Sequence, residues 1–304
     1  MNKFALIFCL LLSLISTSHA YQIEIVDIEL PRTDDESYLV FATDGRVYEI
    51  AADNYAVVDF AHEAWRNREV IEVQFSNNLE VEELLSLRNE IQKINFLSKP
   101  KFELKRNLKK GYSREKNSDL TRLKNTYITN VDSELVAQEL FKTQKSRMRS
   151  WSQCYNRAHV WAWELNKKTY GGKKIQVGKI WIYFTKKYIR EYRHKWWFHI
   201  APYITVNNDL RVMDKSYLKK PLPEKVWTDQ FVKSKQVCPE IFKYSDYSEY
   251  PNSSHCYVMK TSLFYWQPFH IENLEKLGEE RIGWNSGELV TAYKNAIGFF
   301  ARVP

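Results

Sequence analysis

The stretch WWFHIAPYITVNNDLRVMD, residues 196–214, decides the fold. Apolar and β-branched residues run from Trp196 to Val206 and resume from Leu210 to Asp214, with Asn207-Asn208-Asp209 between them. Such punctuation between two strand-like runs predicts a β-hairpin. If the loop centres on Asn207 and Asn208, opposed residue numbers sum to 415, so Asp214 faces Ala201. His199 and Asp214 then project from one sheet face as diagonal neighbours. A three-residue loop would put Asp214 on the other face.

Upstream lies a helix expected from about Cys154 to Gly171-Gly172, with Cys154, Ala158, Trp161 and Leu165 on one side. A thiol reacts as its thiolate, and a helix N-terminus favours that form through unpaired N–H groups and the dipole. Cys154 is therefore a candidate nucleophile, against the alternative of an inert buried thiol. Ser133 is expected to cap another helix through Leu135, Leu140 and Phe141, and Ile175 to Phe184 reads as a further strand. Helix first and antiparallel sheet second make residues 133–304 an α+β unit.

A second, smaller α+β unit is expected over 21–97. Its parts are a hairpin in 37–50 turning at Asp44-Gly45, a helix near Tyr55 to Trp65, a strand from Val70 to Phe75 and a helix over Glu80 to Phe96. Between the units, residues 98–132 concentrate Lys99, Lys101, Lys105, Arg106, Lys109, Lys110, Arg114 and Lys116, which reads as a basic linker.

The first 20 residues have the pattern of a secretory signal peptide. Lys3 precedes an apolar stretch from Phe4 to Ile15, and Ser18 and Ala20 stand at the positions a signal peptidase inspects. Cleavage near Ala20 would deliver the chain to the periplasm or the medium. It would also remove Cys9, leaving Cys154, Cys238 and Cys256. In an oxidising compartment, Cys238 and Cys256 are expected to pair across their loop-rich segment, with Cys154 free.

Composition narrows the function classes. Charged residues make up 27% of the chain and no apolar run of spanning length follows the leader, which argues against stable membrane insertion. A formal charge of +8 favours anionic surfaces. Export and the lack of a recognisable module argue against nucleic-acid binding. No Gly-rich phosphate loop is present. His255, Cys256, Cys238 and His270 lack the short paired spacing of a structural zinc site, so neither metal nor cofactor is expected. Oligomeric state is not legible.

Taken in order, Cys154-Tyr155-Asn156-Arg157-Ala158-His159, Trp196-Trp197-Phe198-His199-Ile200-Ala201-Pro202, Arg211-Val212-Met213-Asp214 and Trp227 resemble the bacterial protein-glutamine glutaminase (protein glutamine deamidase) family over roughly residues 133–270. The resemblance implies a papain-like or transglutaminase-like core and a triad of Cys154 nucleophile, His199 base and Asp214 orienter. The family commonly has Pro where this chain has Lys215. The implied activity is deamidation of glutamine side chains in proteins or peptides, through a Cys154 thioester.

Beside that resemblance, the Cys154 backbone N–H is the natural oxyanion donor, with Gln153 a candidate second donor or a plain helix cap. Trp196 and Trp197 are candidate walls of a substrate slot, or core residues. His159 lies off the Cys154 face and is read as structural. A cysteine peptidase or transglutaminase would use the same triad, and a non-catalytic envelope-binding protein is the alternative outside enzymes. The 21–97 unit is read as a pro-segment or regulatory domain, or as a docking domain.

Overall fold

The computed structural model describes residues 21–31, 37–75, 91–96, 112–113, 128–146, 148, 153–249 and 254–298. The expected signal peptide at 1–20 and most of the expected linker lie outside these residues. The chain divides into two compact units, one of residues 1–42 with 48–101 and one of residues 43–47 with 102–304. No described helix is long and apolar enough to cross a membrane.

The first unit contains β1 (Tyr21–Glu29), β2 (Tyr38–Ala42), β3 (Val47–Ile50), α1 (Tyr55–Asn67), β4 (Val70–Phe75) and β5 (Ile91–Phe96). Its sheet has the order β3-β2-β1-β4-β5. The helix buries Val57, Val58, Ala61 and Ala64, the stripe an amphipathic helix needs, in a core with Ile23, Ile25, Val40, Tyr48, Ile50, Ile71 and Val73.

The expected helix over Glu80 to Phe96 is corrected in its second half, which is a strand paired with β4; residues 76–90 lie outside the described set. The physical reason is a register shift. Ile94 lies opposite Val73 and Ile91 opposite Phe75, so two residues three apart on one strand face two residues two apart on the other. A bulge of this kind turns strand spacing into a pattern that imitates a helix.

In the second unit, β6 (Tyr112–Ser113) and β7 (Asn130–Val131) precede α2 (Glu134–Thr143) and α3 (Cys154–Asn166). Both strands fall within the stretch read as linker: β6 pairs with residues 280–281, and β7 pairs in parallel with residues 205–206. Ser133 caps α2 as expected, its side chain accepting the Val136 N–H. Then follow β8 (Thr169–Tyr170), β9 (Lys173–Lys174), β10 (Gly178–Phe184), α4 (Lys186–Glu191), β11 (Phe198–Val206) and β12 (Asp209–Val212). The chain closes with α5 (Glu224–Thr228), α6 (Tyr244–Glu249), β13 (Cys256–Ser262), α7 (Pro268–Leu277), β14 (Glu280–Arg281) and α8 (Ser286–Ala296). The main sheet runs β12-β11-β10-β13, and these neighbours are antiparallel.

Helix α3 packs against β10 and β11 and against α8. Cys154, Ala158, Trp161 and Leu165 are buried as the spacing predicts, but so are Asn156, Arg157, His159, Val160, Ala162 and Asn166. A helix enclosed this way must pair its polar side chains inside the protein. Asn166 donates to the Ile175 carbonyl at 2.8 Å and accepts the Trp284 indole N–H at 3.1 Å. His159 Nδ1 meets the Lys179 ammonium group at 2.7 Å, and burial followed by the Lys179 charge holds that imidazole well below its ordinary range, so it is neutral.

The end of α3 is a second correction. The helix stops at Asn166, and Gly171-Gly172 form the turn between β8 and β9, both with positive φ, as a two-residue hairpin loop requires.

Candidate active site

The hairpin that carries the site closes with the shorter loop. Val206 lies opposite Asp209 and Tyr203 opposite Val212, so paired numbers sum to 415, and Asn207 and Asn208 both have positive φ. The pairing continues past β12, where the Met213 N–H donates to the Pro202 carbonyl at 2.8 Å. Asp214 thereby comes to the His199 side of the sheet. His199 Nε2 and Asp214 Oδ2 are 2.7 Å apart, and both residues are buried.

Asp214 is held on both carboxylate oxygens. The Trp227 indole N–H donates to Oδ2 at 3.0 Å, and the Ser216 N–H donates to Oδ1 at 3.1 Å. Burial pushes the carboxyl up, but the His199 charge and hydrogen bond, the Trp227 bond and the Arg157 charge outweigh it and hold the group below its usual range. Arg157 belongs to α3, and its Nε donates to Ser216 Oγ at 2.9 Å. One side chain thus ties the Cys154 helix to the loop that shapes the acid.

Cys154 is the first residue of α3 and is a buried free thiol. Its side chain stands close enough to His199 to act on the imidazole. Burial alone would lower the His199 pKa, but the Asp214 charge and hydrogen bond, with the Cys154 contact, push it up to about 9. The imidazole therefore stands between the sulfur's influence and the carboxylate that hydrogen-bonds it. Cys238 and Cys256 form a disulfide with Cα atoms 4.9 Å apart.

Gln153, the residue before α3, is half-buried, and its side chain does not cap the helix. Instead Gln153 Oε1 accepts from Asn156 Nδ2 at 2.6 Å. Trp197 is 1% exposed and packs against Tyr183, Phe198 and Tyr247, so its ring has no face left for a substrate. Trp196 is half-buried under the Arg46 guanidinium, which lies 5.4 Å from the ring centre.

The rings beside the imidazole are others. Tyr217 meets His199 edge-on at 5.1 Å and is 48% exposed, and Phe231 lies 4.8 Å from His199. Sequence reading passed over Tyr217, Phe231 and Ser216. An Asp-Lys-Ser turn with the following Tyr217 was the available signal, because an Asp side chain commonly accepts the N–H two residues on. His255 binds Ser234 at 2.9 Å and Glu191 at 3.2 Å, and His270 Nδ1 accepts the Trp266 N–H at 3.2 Å, so neither turns to the cysteines.

The turn residues 43–47 belong to this unit. The Trp197 N–H donates to the Gly45 carbonyl and the Val47 N–H to the Lys195 carbonyl, each at 3.0 Å. Gly45 has φ +88°, and a Cβ there would lie 3.2 Å from the Phe198 ring, so both backbone conformation and space call for glycine.

Residues 133–231 match the family model described as Glutaminase. No curated protein matches the chain significantly. Among solved structures, a mutant of pro-protein-glutaminase superposes with a TM-score of 0.50 at 14% identity, covering 92% of this chain and 93% of that one. Another pro-protein-glutaminase structure gives 0.48 at 15% identity, covering 90% of each chain. The NMR structure of protein-glutaminase from Chryseobacterium proteolyticum gives 0.34 at 13% identity, over 59% of this chain and 96% of that one. The first of these likenesses is one of fold. The match to the glutaminase family model is confined to residues 133–231.

Proposed function

We propose that the chain is an exported cysteine hydrolase that converts glutamine side chains of proteins or peptides to glutamate with release of ammonia. The observation that carries this reading is the buried line Cys154–His199–Asp214, with the sulfur at a helix N-terminus, inside the segment that matches the glutaminase family. The Cys154 helix packed on the antiparallel strand that bears His199 is the arrangement expected of a papain-like or transglutaminase-like core.

In the proposed mechanism the proton of Cys154 rests on His199, which Asp214 keeps cationic. The thiolate attacks the carboxamide carbon, and the oxyanion is met by the Cys154 backbone N–H and the Gln153 amide. His199 gives its proton to the nitrogen, ammonia leaves and a thioester remains. Water attacks the thioester as His199 takes its proton, and glutamate departs from the restored thiolate. Tyr217 and Phe231, rather than Trp197, supply the aromatic wall for the glutamine stem.

A blocked peptide with one glutamine tests the reading. Ammonia release without chain cleavage and without coupling to added amine is expected. Cleavage would point to a peptidase, coupling to a transglutaminase, and neither, with Cys154 still alkylated, to a binding module.

The unit over 21–97 is proposed to restrain this activity as a pro-segment or regulatory domain. Support comes from its forming a compact unit of its own, with a separate core. Tryptic cleavage in the basic stretch 98–132 should raise the rate on a glutamine protein, and an unchanged or lower rate would oppose restraint. Export is proposed to follow removal of the leader near Ala20, which intact mass of the protein recovered from periplasm or medium would check.

A further inference from the structure

The two ends of a glutamine amide are chemical opposites. Only Nε2 can donate to a developing oxyanion, whereas Oε1 would repel it. A glutamine free to flip about its last bond would serve as a donor only part of the time. Two other side chains remove that freedom from Gln153.

Trp266 lies between β13 and α7, and its indole N–H can only donate. Its acceptor is Asn156 Oδ1 at 3.1 Å. With that oxygen turned to the indole, Asn156 presents Nδ2, which donates to Gln153 Oε1 at 2.6 Å. The Gln153 oxygen is thereby taken, and Nε2 is the end left to donate. The indole dictates the polarity of both amides. Asn156 is fully buried and Trp266 is 6% exposed, with its ring edge-on to Tyr155 at 5.7 Å and 5.8 Å from His159, so the starting donor is fixed by packing.

The Gln153 side chain does not cap a backbone N–H of α3; its bond to the first turn is to the Asn156 side chain. Satisfying the buried Asn156 amide accounts for both of its bonds, and the same two bonds leave Nε2 as the donating end of Gln153.

We propose that Asn156 and Trp266 are positioning residues that lock Gln153 with Nε2 outward as the second oxyanion donor beside the Cys154 backbone N–H. The proposal rests on the acyl-transfer chemistry set out above and deepens it. Asn156→Asp is the sharpest perturbation. It keeps the shape but offers acceptors only, so it binds the indole and draws Gln153 Nε2 inward, leaving Oε1 to face the substrate.

The test compares the full chain with Gln153→Ala, Asn156→Asp, Trp266→Phe and the Gln153→Ala/Asn156→Asp double variant. Loss of one oxyanion donor lowers kcat by about 10²-fold, so Asn156→Asp should match Gln153→Ala at that level with KM changed less than about twofold. Trp266→Phe, which frees both amides to flip, should show a smaller loss of the same kind. The double variant should be no slower than Gln153→Ala, since the relay acts only through that residue. Alkylation of Cys154 by iodoacetamide, which needs the thiolate but forms no oxyanion, should be unchanged throughout.

Independent, multiplying losses in the double variant would overturn the proposal. So would a kcat within about threefold of wild type for Asn156→Asp. If Asn156→Asp does not fold, Trp266→Phe decides by the same criteria. Hydrolysis of p-nitrophenyl acetate, which also passes through an oxyanion on Cys154, separates the two readings. Ester turnover without glutamine turnover would refute the deamidase assignment while the variants still judge the relay, and absence of both would overturn the two together.

Discussion

Replacing Asp214 with Asn keeps the shape of the buried site and removes its negative charge. In the native site burial pulls the His199 pKa down, and the Asp214 charge and hydrogen bond more than compensate, placing it at about 9 against an ordinary 6.5. That gap corresponds to roughly 3 kcal/mol in favour of the imidazolium. In Asp214→Asn the Oδ2 position, which His199 and Trp227 share, and the Oδ1 position, which takes the Ser216 N–H, can no longer both accept, so wherever the NH₂ falls it faces a donor. With the NH₂ at the Oδ2 position His199 carries its proton on the nitrogen facing Cys154, the wrong tautomer to accept one from sulfur. With the NH₂ at the Oδ1 position the Ser216 N–H loses its acceptor and His199 still loses the charge that keeps it cationic.

We expect kcat/KM for ammonia release to fall on the order of 10³–10⁴-fold. The alkaline limb of the profile should sit near 9 in the wild type, where the imidazolium deprotonates, and move below 6.5 in the variant. Stability follows the same signs. The folded His199 value is raised, so its contribution is full below 6.5 and is lost as pH rises through about 9. The folded Asp214 value is lowered, so its contribution is present above 3.8 and is lost as pH falls through the depressed value. Rate profiles and melting temperatures between about pH 5 and 10 read the His199 effect, and melting temperatures below about pH 4 read that of Asp214. An Asp214→Asn variant within tenfold of wild type, with its alkaline limb unmoved, would refute the reasoning.

Other expectations follow from single features of the structure. Cys154→Ser should lose turnover while melting as the wild type does, because a hydroxyl at that position lacks the thiolate's nucleophilicity; near-normal rates from the folded variant would remove Cys154 from the mechanism. Reducing Cys238–Cys256, which closes a separation of 18 residues, should cost about 3 kcal/mol in denaturant titration and expose residues 239–249 to protease before α3; two free thiols in peptide mapping of the exported protein would contradict it. His159 and His270 are held neutral by burial, and Lys179 and Arg281 add to the effect on both. Since the unfolded chain binds those protons first, stability should drop below pH 6.5 by up to about 1.4 kcal/mol per pH unit for each imidazole, and a flat melting temperature from pH 7 to 5 would count against this.

The site was legible where local rules determine geometry. Asn207-Asn208 selected the loop, the loop set the register, and the register brought Asp214 to His199. Cys154 at the start of α3 followed from helical spacing, and the disulfide from cysteine arithmetic in a chain read as exported. What escaped depends on contacts that no local pattern carries. The bulge in the β4–β5 pairing gave Ile91 and Ile94 the spacing of a helix. Helix α3 looked one-sided because Asn156, Arg157 and His159 are polar, yet each is buried beside a partner 20 or more residues away. Trp197 could not be distinguished from a slot wall until the core around Tyr183 was visible, and the rings beside His199 are those of Tyr217 and Phe231.

The most direct test of the central claim is intact mass of a glutamine-bearing protein after incubation with the wild type or with Cys154→Ser. Each turnover replaces NH₂ by OH, so the wild type should add about one dalton per modified glutamine, match it with one ammonia and leave the chain whole. Shortened chains, crosslinked products, or the same mass gain with Cys154→Ser would contradict the account.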